Sequence, residues 1–402
     1  MTETIRLSIM GATGSIGTSA AQVIEEANSN APLNAPAFEV EALVAGRAAR
    51  PLIDLAKRLK PQLAVLAHED EASLLAEGLA GHDIEVASGT RAVIEAATRP
   101  CDKVLAAISG SEGLASTLAA VRQGTTVALA NKESIVCGGG LILSEAKAHG
   151  AKILPVDSEH NAIFQVLHGK SDVEGLTITA SGGPFLSHSR EDLASVTVEQ
   201  AMAHPNWDMG VKNSIDSATL MNKALEFIEA AYLFDLAPDK INVVVHPQSI
   251  VHGMAHYLDG SVLAQLGVPD MRTPIAHALA WPRRVATSVK RLDLAAIGAL
   301  EFETVDKERF PAVEYARWAS SEGPAASTML NSANEAAVTA FISGACGFLD
   351  ISSVVGDMLD KFDDTNFRGL SCMSLEEIEY LNARTQAMTL EALGAAALDR
   401  RA

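Results

Sequence analysis

The stretch that most restricts the fold lies near the N-terminus. An apolar run, Ile5-Arg6-Leu7-Ser8-Ile9-Met10, meets Gly11-Ala12-Thr13-Gly14-Ser15-Ile16-Gly17, and a helical pattern then continues to residue 27. A strand, a glycine turn and a helix in direct succession form the opening unit of a doubly wound parallel sheet. The next residues keep that rhythm. Apolar runs at 38–44, 63–66, 84–86, 103–107, 126–129 and 151–155 alternate with helical stretches at 51–59, 71–80, 112–123 and 138–149. Asn28–Ala37, rich in Asn, Pro and Ala, reads as a surface insertion.

Four segments are expected. Residues 1–156 form an α/β, Rossmann-like doubly wound domain that binds a dinucleotide. Residues 157–290 form a central α+β catalytic domain, with strand candidates at 176–180, 241–246 and 261–266. A linker over 291–310 leads to a C-terminal helical bundle over 311–402, with helices at 311–320, 326–342, 350–362 and 374–397. Ser374 and Glu377 have the capping-box spacing at the start of the last helix.

The formal net charge of −19 makes nucleic acid and anionic membranes poor candidates as partners, because such a chain gains nothing from counterion release. Neither nucleic acid nor a membrane is an expected partner, and no apolar run reaches the roughly 18 residues needed to span a bilayer. Cys101, Cys137, Cys346 and Cys372 are scattered, with no C-x-x-C pair, as reduced thiols would be. The strand pattern at Ile5 leaves no room for a signal or transit peptide, so a cytoplasmic protein is expected.

Gly11, Gly14 and Gly17 sit between a strand and a helix, the context a dinucleotide fingerprint requires. The second strand ends Leu43-Val44-Ala45-Gly46-Arg47. An acid at that end would grip a ribose 2′-hydroxyl, whereas Arg47 can fork onto a 2′-phosphate. The expected cofactor is NADPH.

Asp157 and Glu159 follow the last strand of this domain, at the carboxyl end where ligands gather. Two carboxylates there suit a hard cation, although they would equally favour the dipole of a helix start. Lys132, after the 126–129 strand, can contact a substrate oxygen, while Asn131 and Glu133 can hold the nicotinamide ribose. In Asp216-Ser217-Ala218-Thr219-Leu220-Met221-Asn222-Lys223-Ala224-Leu225-Glu226, helical spacing crowds Asn222 and Lys223 against Glu226, with Ser217 near the start of that helix. Hydroxyl, amide and ammonium together make a phosphate clamp, and Ser181-Gly182-Gly183-Pro184 offers a further hydroxyl on a flexible turn. His204-Pro205-Asn206-Trp207-Asp208-Met209-Gly210 reads as a lid, or equally as a loop whose Trp packs on the core. His246, Gln248, Ser249 and His252 read as structural.

The motifs GATGSIG, LANKES, PVDSEHNAIFQ, SGGPF, HPNWDMG, DSATLMNKALE, HPQSIVHG and LGVPDMRTPIAHALAWP occur in this order. Together they resemble the 1-deoxy-D-xylulose 5-phosphate reductoisomerase family from residue 5 to the end, most strongly over 125–282. The resemblance implies a divalent metal (Mg²⁺, Mn²⁺ or Co²⁺) on Asp157, Glu159 and Glu226, which with Lys132 form the catalytic set. It implies substrate contacts from Lys132, Ser158, Glu159, Ser181, His204, Ser217, Asn222, Lys223 and Glu226. Cofactor contacts fall on Thr13, Gly14, Ser15, Ile16, Gly46, Arg47, Ala48, Asn131, Glu133 and Gly210. The implied reaction rearranges a phosphorylated sugar substrate to an aldehyde, which NADPH reduces, and the implied assembly is a homodimer. Ala48 stands where some relatives carry a polar residue, so a side-chain contact to the 2′-phosphate is lost there. The alternative is a metal-dependent aldolase or isomerase of a phosphorylated hydroxyketone that uses NADPH only structurally.

Overall fold

The computed structural model describes residues 4–30, 36–169, 172–207, 209–364, 369–370 and 372–399. The chain forms two compact units. The first comprises Met1–Ser134, Ile142–Asn161 and Asp270–Arg291, and the second Ile135–Leu141, Ala162–Pro269 and Leu292–Ala402.

The strands of the first unit are β1 (Thr4–Met10), β2 (Ala37–Ala45), β3 (Leu63–Leu66), β4 (Glu85–Ser88), β5 (Lys103–Ala106), β6 (Thr126–Leu129) and β7 (Ile153–Pro155). They form one seven-stranded sheet in the order β4-β3-β2-β1-β5-β6-β7. Every neighbouring pair is parallel. A parallel sheet is covered on both faces, which is why β3 and β5 are buried at every position. The strand order reverses between β1 and β5, so the ligand crevice is expected outside their carboxyl ends. The connecting helices are α1 (Ser15–Asn30), α2 (Ala49–Leu59), α3 (Ala72–Gly78), α4 (Thr90–Thr98), α5 (Gly113–Arg122), α6 (Lys132–His149) and α7 (Ser158–Val166).

Three local readings need correction. Helix α4 is absent from the sequence reading: its buried face, Ala92, Val93, Ala96 and Ala97, has helical spacing, but it is short and built mostly of alanine. The segment read as an insertion from Asn28 begins as helix: Asn28 Nδ2 donates to the Phe38 carbonyl (2.9 Å) and Phe38 N–H donates to Asn28 Oδ1 (2.8 Å). Residues 31–35 of it lie outside the described residues. Helix α6 starts at Lys132 rather than at 138, capped by Asn131, whose Oδ1 accepts the Ser134 N–H at 2.7 Å. The Gly138-Gly139-Gly140 run that masked this start is a kink, with Gly138 at φ −119° and ψ 20°.

The second unit holds β8 (Val173–Ala180), β9 (Ile241–Val245), β10 (Val251–Tyr257), β11 (Val262–Leu266) and β12 (Glu303–Thr304). They form a mixed sheet in the order β11-β10-β8-β9-β12, in which only β8 and β9 are parallel. The sequence reading lacks β10, where Gly253 and two histidines interrupt the apolar alternation. The later helices are α8 (Arg190–Leu193), α9 (Val198–Met202), α10 (Val211–Ala218), α11 (Met221–Phe234), α12 (Arg272–Ala280, in the first unit) and α13 (Leu294–Ile297). Then come α14 (Ala312–Glu322), α15 (Pro324–Ile342), α16 (Phe348–Asp360) and α17 (Leu375–Asp399). Helix α15 is buried almost all round, against α14, α16 and α17. Its polar residues are held accordingly: Asn334 Nδ2 donates to Asp216 Oδ1 at 2.7 Å. The expected capping box closes the start of α17, with Ser374 N–H donating to Glu377 (2.8 Å) and Glu377 N–H to Ser374 Oγ (3.2 Å).

Candidate active site

The turn after β1 is shaped to admit a ligand's backbone-close approach. Gly11 has φ +90°, and a Cβ there would lie 2.2 Å from the Ala107 carbonyl oxygen just beyond β5. A Cβ on Gly17 would lie 2.4 Å from the Ala12 carbonyl. These glycines bring the start of α1 against the strand ends, so that its amides face the crevice. Gly14 and Ser15 are exposed at its mouth, with Thr13 and Ile16 half-buried. Gly46, Arg47 and Ala48 are exposed past the end of β2, and among the described residues Arg47 makes a surface pair with Asp70 alone (3.3 Å). Such a pair contributes little, leaving the guanidinium available to a phosphate. Gly11→Ala is expected to strain the turn by about 1–3 kcal/mol, lowering the melting temperature and abolishing dinucleotide binding; binding at wild-type affinity would contradict this reading of the turn.

Asn131 ties the loop after β5 to the start of α6, donating to the carbonyls of Ile108 and Gly110 (the latter at 2.9 Å). Next to it Lys132, largely buried, is ion-paired with Asp157. Asp157 Oδ1 accepts the Ser158 N–H at 2.9 Å, and the Ser158 hydroxyl donates to Glu159. Asp157 and Glu159 each present a carboxylate oxygen, the two within 4.8 Å of one another. The fully buried His160 has Nδ1 4.0 Å from Asp157 Oδ2. An all-oxygen pair this close, balanced by one ammonium, fits a hard divalent cation. It also meets the helix-dipole reading, since Glu159 lies in the first turn of α7.

In the second unit, helical spacing does what it was expected to do. Asn222 Nδ2 and Lys223 Nζ both donate to the carboxylate of the buried Glu226. Ser217 differs from expectation: it lies at the end of α10, and Leu220 in the left-handed conformation (φ 59°) separates it from α11. The Ser181 turn approaches that end closely, for a Cβ on Gly183 would lie 2.8 Å from the Ser217 carbonyl.

His204 Nδ1 accepts the backbone N–H of Asn206 (3.1 Å) and of Trp207 (2.9 Å). The proton therefore sits on Nε2, which donates to Ser181 Oγ at 2.9 Å. Ser181 Oγ also accepts the Gly183 N–H (3.2 Å), so its own hydroxyl proton is left to donate to a ligand oxygen. Burial and then the nearby Lys223 ammonium push His204 down to about 4, consistent with a neutral ring. The lid is tied at Asn206, whose Nδ2 donates to the Pro247 carbonyl (2.6 Å) and Ser249 Oγ (3.1 Å). Trp207 stands 6.0 Å from the ring of His252. The sequence reading gave these loops no connection; no spacing signal could have supplied one. His246, read as structural, is fully buried, stacked on Phe302 and bonded to the Glu301 carbonyl at 2.7 Å.

His277, in the first unit, is likewise pushed down to about 4 by burial and by Arg284 and Lys103. Both rings stay neutral in the fold to about pH 4, whereas in the unfolded chain they take up protons below about 6.5. Their contribution to stability is thus complete above pH 6.5 and is lost as pH falls toward 4. The urea midpoint is expected to fall between about pH 7 and about pH 5, and less steeply in His277→Gln; equal slopes would remove His277 from this account.

Three family models match the chain. Residues 7–139 match 1-deoxy-D-xylulose 5-phosphate reductoisomerase, residues 153–234 its C-terminal domain, and residues 266–388 the DXP reductoisomerase C-terminal domain. The chain belongs to the DXP reductoisomerase family. It is 52% identical over 351 residues to the 1-deoxy-D-xylulose 5-phosphate reductoisomerase of Rhodospirillum centenum, covering 87% of this chain and 86% of that one. The family's solved structures share the fold. The Zymomonas mobilis 1-deoxy-D-xylulose 5-phosphate reductoisomerase in complex with NADPH superposes with a TM-score of 0.88 at 44% identity, covering 98% of this chain and 99% of that one. A DOX-P reductoisomerase in complex with NADPH, fosmidomycin and magnesium gives 0.91 at 40% identity, covering 97% and 98%.

Proposed function

We propose that this chain converts 1-deoxy-D-xylulose 5-phosphate to 2-C-methyl-D-erythritol 4-phosphate, an isomeroreduction dependent on NADPH and a divalent metal, in the non-mevalonate (methylerythritol phosphate) route to isoprenoids. Family membership supports this reading, as do the NADPH and magnesium in its solved relatives. The observation that carries it in this chain is the paired Asp157 and Glu159 at the carboxyl end of a dinucleotide-type sheet.

The proposed metal ligands are Asp157, Glu159 and Glu226. The metal, Mg²⁺, Mn²⁺ or Co²⁺, supplies a Lewis acid for the rearrangement, and NADPH supplies the hydride. Lys132 adds positive charge beside the same substrate oxygens. Ser158 and Glu159 orient the substrate's hydroxyls. Ser181, Ser217, Asn222 and Lys223 hold the phosphate, with His204 keeping the Ser181 hydroxyl turned toward it. Because the phosphate is remote from the reacting carbons, its binding energy serves positioning and lid closure. Thr13, Gly14, Ser15 and Ile16 line the pyrophosphate, Gly46, Arg47 and Ala48 the 2′-phosphate, and Asn131, Glu133 and Gly210 the nicotinamide end. The functional division is 1–156 for the cofactor, 157–290 for catalysis, 291–310 as linker and 311–402 as helical support.

Lys223→Ala is expected to weaken substrate binding by about 1.5–3 kcal/mol, the scale of a hydrogen bond to a charged group. An unchanged KM for the substrate would remove Lys223 from the clamp. The enzyme is proposed to work as a homodimer in the cytoplasm. Strand β11 supports the first point: it is a sheet edge that leaves Val262 and Leu263 exposed, a ready surface for a second copy. The scattered cysteines, with no C-x-x-C pair in the sequence, support the second.

A further inference from the structure

A side chain far from every motif above grips the turn that carries Ser181. Arg309 lies in the loop before α14 and donates through Nη1 to the carbonyls of Leu186 (2.9 Å) and His188 (2.5 Å). Its guanidinium is itself held, with Nε donating to Asp306 Oδ2 at 2.9 Å. The other Asp306 oxygen accepts the N–H groups of Glu308 (3.1 Å) and Arg309 (3.0 Å), so the clamp is anchored to its own loop. Both carbonyls are held by the one Nη1 group, and the Nε bond to Asp306 sets the plane in which that group points, a direction a freely rotating ammonium lacks.

The grip reaches Ser181 in two short steps. Leu186, whose carbonyl Arg309 holds, lies with its methyls against Gly182; a Cβ on Gly182 would meet them at 2.9 and 3.1 Å. Gly182 has φ +83° and Gly183 φ +67°, a backbone path that needs outside support to hold one geometry. Phe185 completes that support, edge-on to Phe348 of α16 at 5.2 Å. On the other side, Ser181 Oγ is fixed by His204 and by Gly183 N–H.

We infer that Arg309 is a positioning residue for the substrate's phosphate: it holds the 182–188 turn so that the Ser181 hydroxyl meets a phosphate oxygen. This rests on the reading of Ser181 as part of the phosphate clamp. Arg309 directs its hydrogen bonds to backbone carbonyls and Asp306, so its loss is expected to affect binding of the phosphorylated substrate and to leave the chemical step alone.

The test compares Arg309→Ala, Ser181→Ala and the double variant by steady-state NADPH oxidation. Arg309→Ala is expected to raise KM for 1-deoxy-D-xylulose 5-phosphate about tenfold, with kcat and the KM for NADPH unchanged. The double variant is expected to be no worse than Ser181→Ala alone, because Arg309 acts through Ser181. Guanidinium ion at non-denaturing concentration should restore much of the lost affinity in Arg309→Ala. Arg309→Lys keeps the charge without the planar group anchored on Asp306 and should show a smaller rise in KM, which covers the case in which the alanine variant does not fold. If Ser181→Ala raises KM and neither Arg309 variant does, the inference is overturned and the clamp stands. A loss of kcat or melting temperature with KM unchanged would likewise overturn it, as the mark of a purely structural residue. If Ser181→Ala itself leaves KM unchanged, the clamp reading fails and the inference falls with it.

Discussion

Glu226→Gln lowers kcat by about 10²–10³-fold while NADPH binds as before; that is the largest single effect expected of this enzyme. Glutamine keeps the shape of the side chain and one acceptor oxygen, but it removes the negative charge. In the fold that charge is buried and faces two donors, Asn222 and Lys223. Neutralising it leaves Lys223 as a desolvated ammonium without its counter-charge, a costly state for a buried pair that loses one partner. It also removes one of the three proposed carboxylate ligands, so more metal should be needed for half-maximal rate. The check is kcat over a Mn²⁺ titration, with NADPH affinity measured separately by fluorescence. Wild-type turnover in the variant would refute the ligand assignment.

Arg47→Asp reverses the cofactor preference. The residue stands at the exposed end of β2, free of any interaction stronger than its surface pair with Asp70. Against a 2′-phosphate the arginine supplies a charge-assisted hydrogen bond, and aspartate supplies repulsion in its place. Losing the first and adding the second should shift the NADPH/NADH ratio of kcat/KM by about 2–4 kcal/mol, roughly 30- to 1,000-fold. Aspartate can in addition accept from the 2′-hydroxyl of NADH. If the ratio stays where it was, selectivity lies outside the β2 end. Because Ala48 has no polar group to offer, no neighbouring side chain at that position substitutes for Arg47.

The parallel-sheet half was legible because each strand is short, apolar and flanked by turn residues; β3 and β6 coincide with the runs read at 63–66 and 126–129. The sheet order was not, since it depends on which strand returns beside β1. The grip of Asn222 and Lys223 on Glu226 was legible for a similar reason: helix geometry alone brings residues three and four apart together. Ser217 was misplaced because a left-handed Leu220 is not a residue type that announces a helix break. Long-range pairs carried no signal at all. His204 reaches Ser181 across 23 positions, and Arg309 reaches Leu186 across 123. Such contacts are set by tertiary packing, so the groups that orient the clamp were hidden while the groups that form it stood in plain motifs.

The enzyme is proposed to join a dinucleotide cradle, a carboxylate metal site and a phosphate clamp in a single reaction. The most direct test follows NADPH absorbance with 1-deoxy-D-xylulose 5-phosphate and Mn²⁺, with and without excess EDTA. Oxidation that requires the substrate and stops with EDTA is the predicted result. No oxidation with metal present, or substrate consumed while NADPH stays intact, would contradict the account.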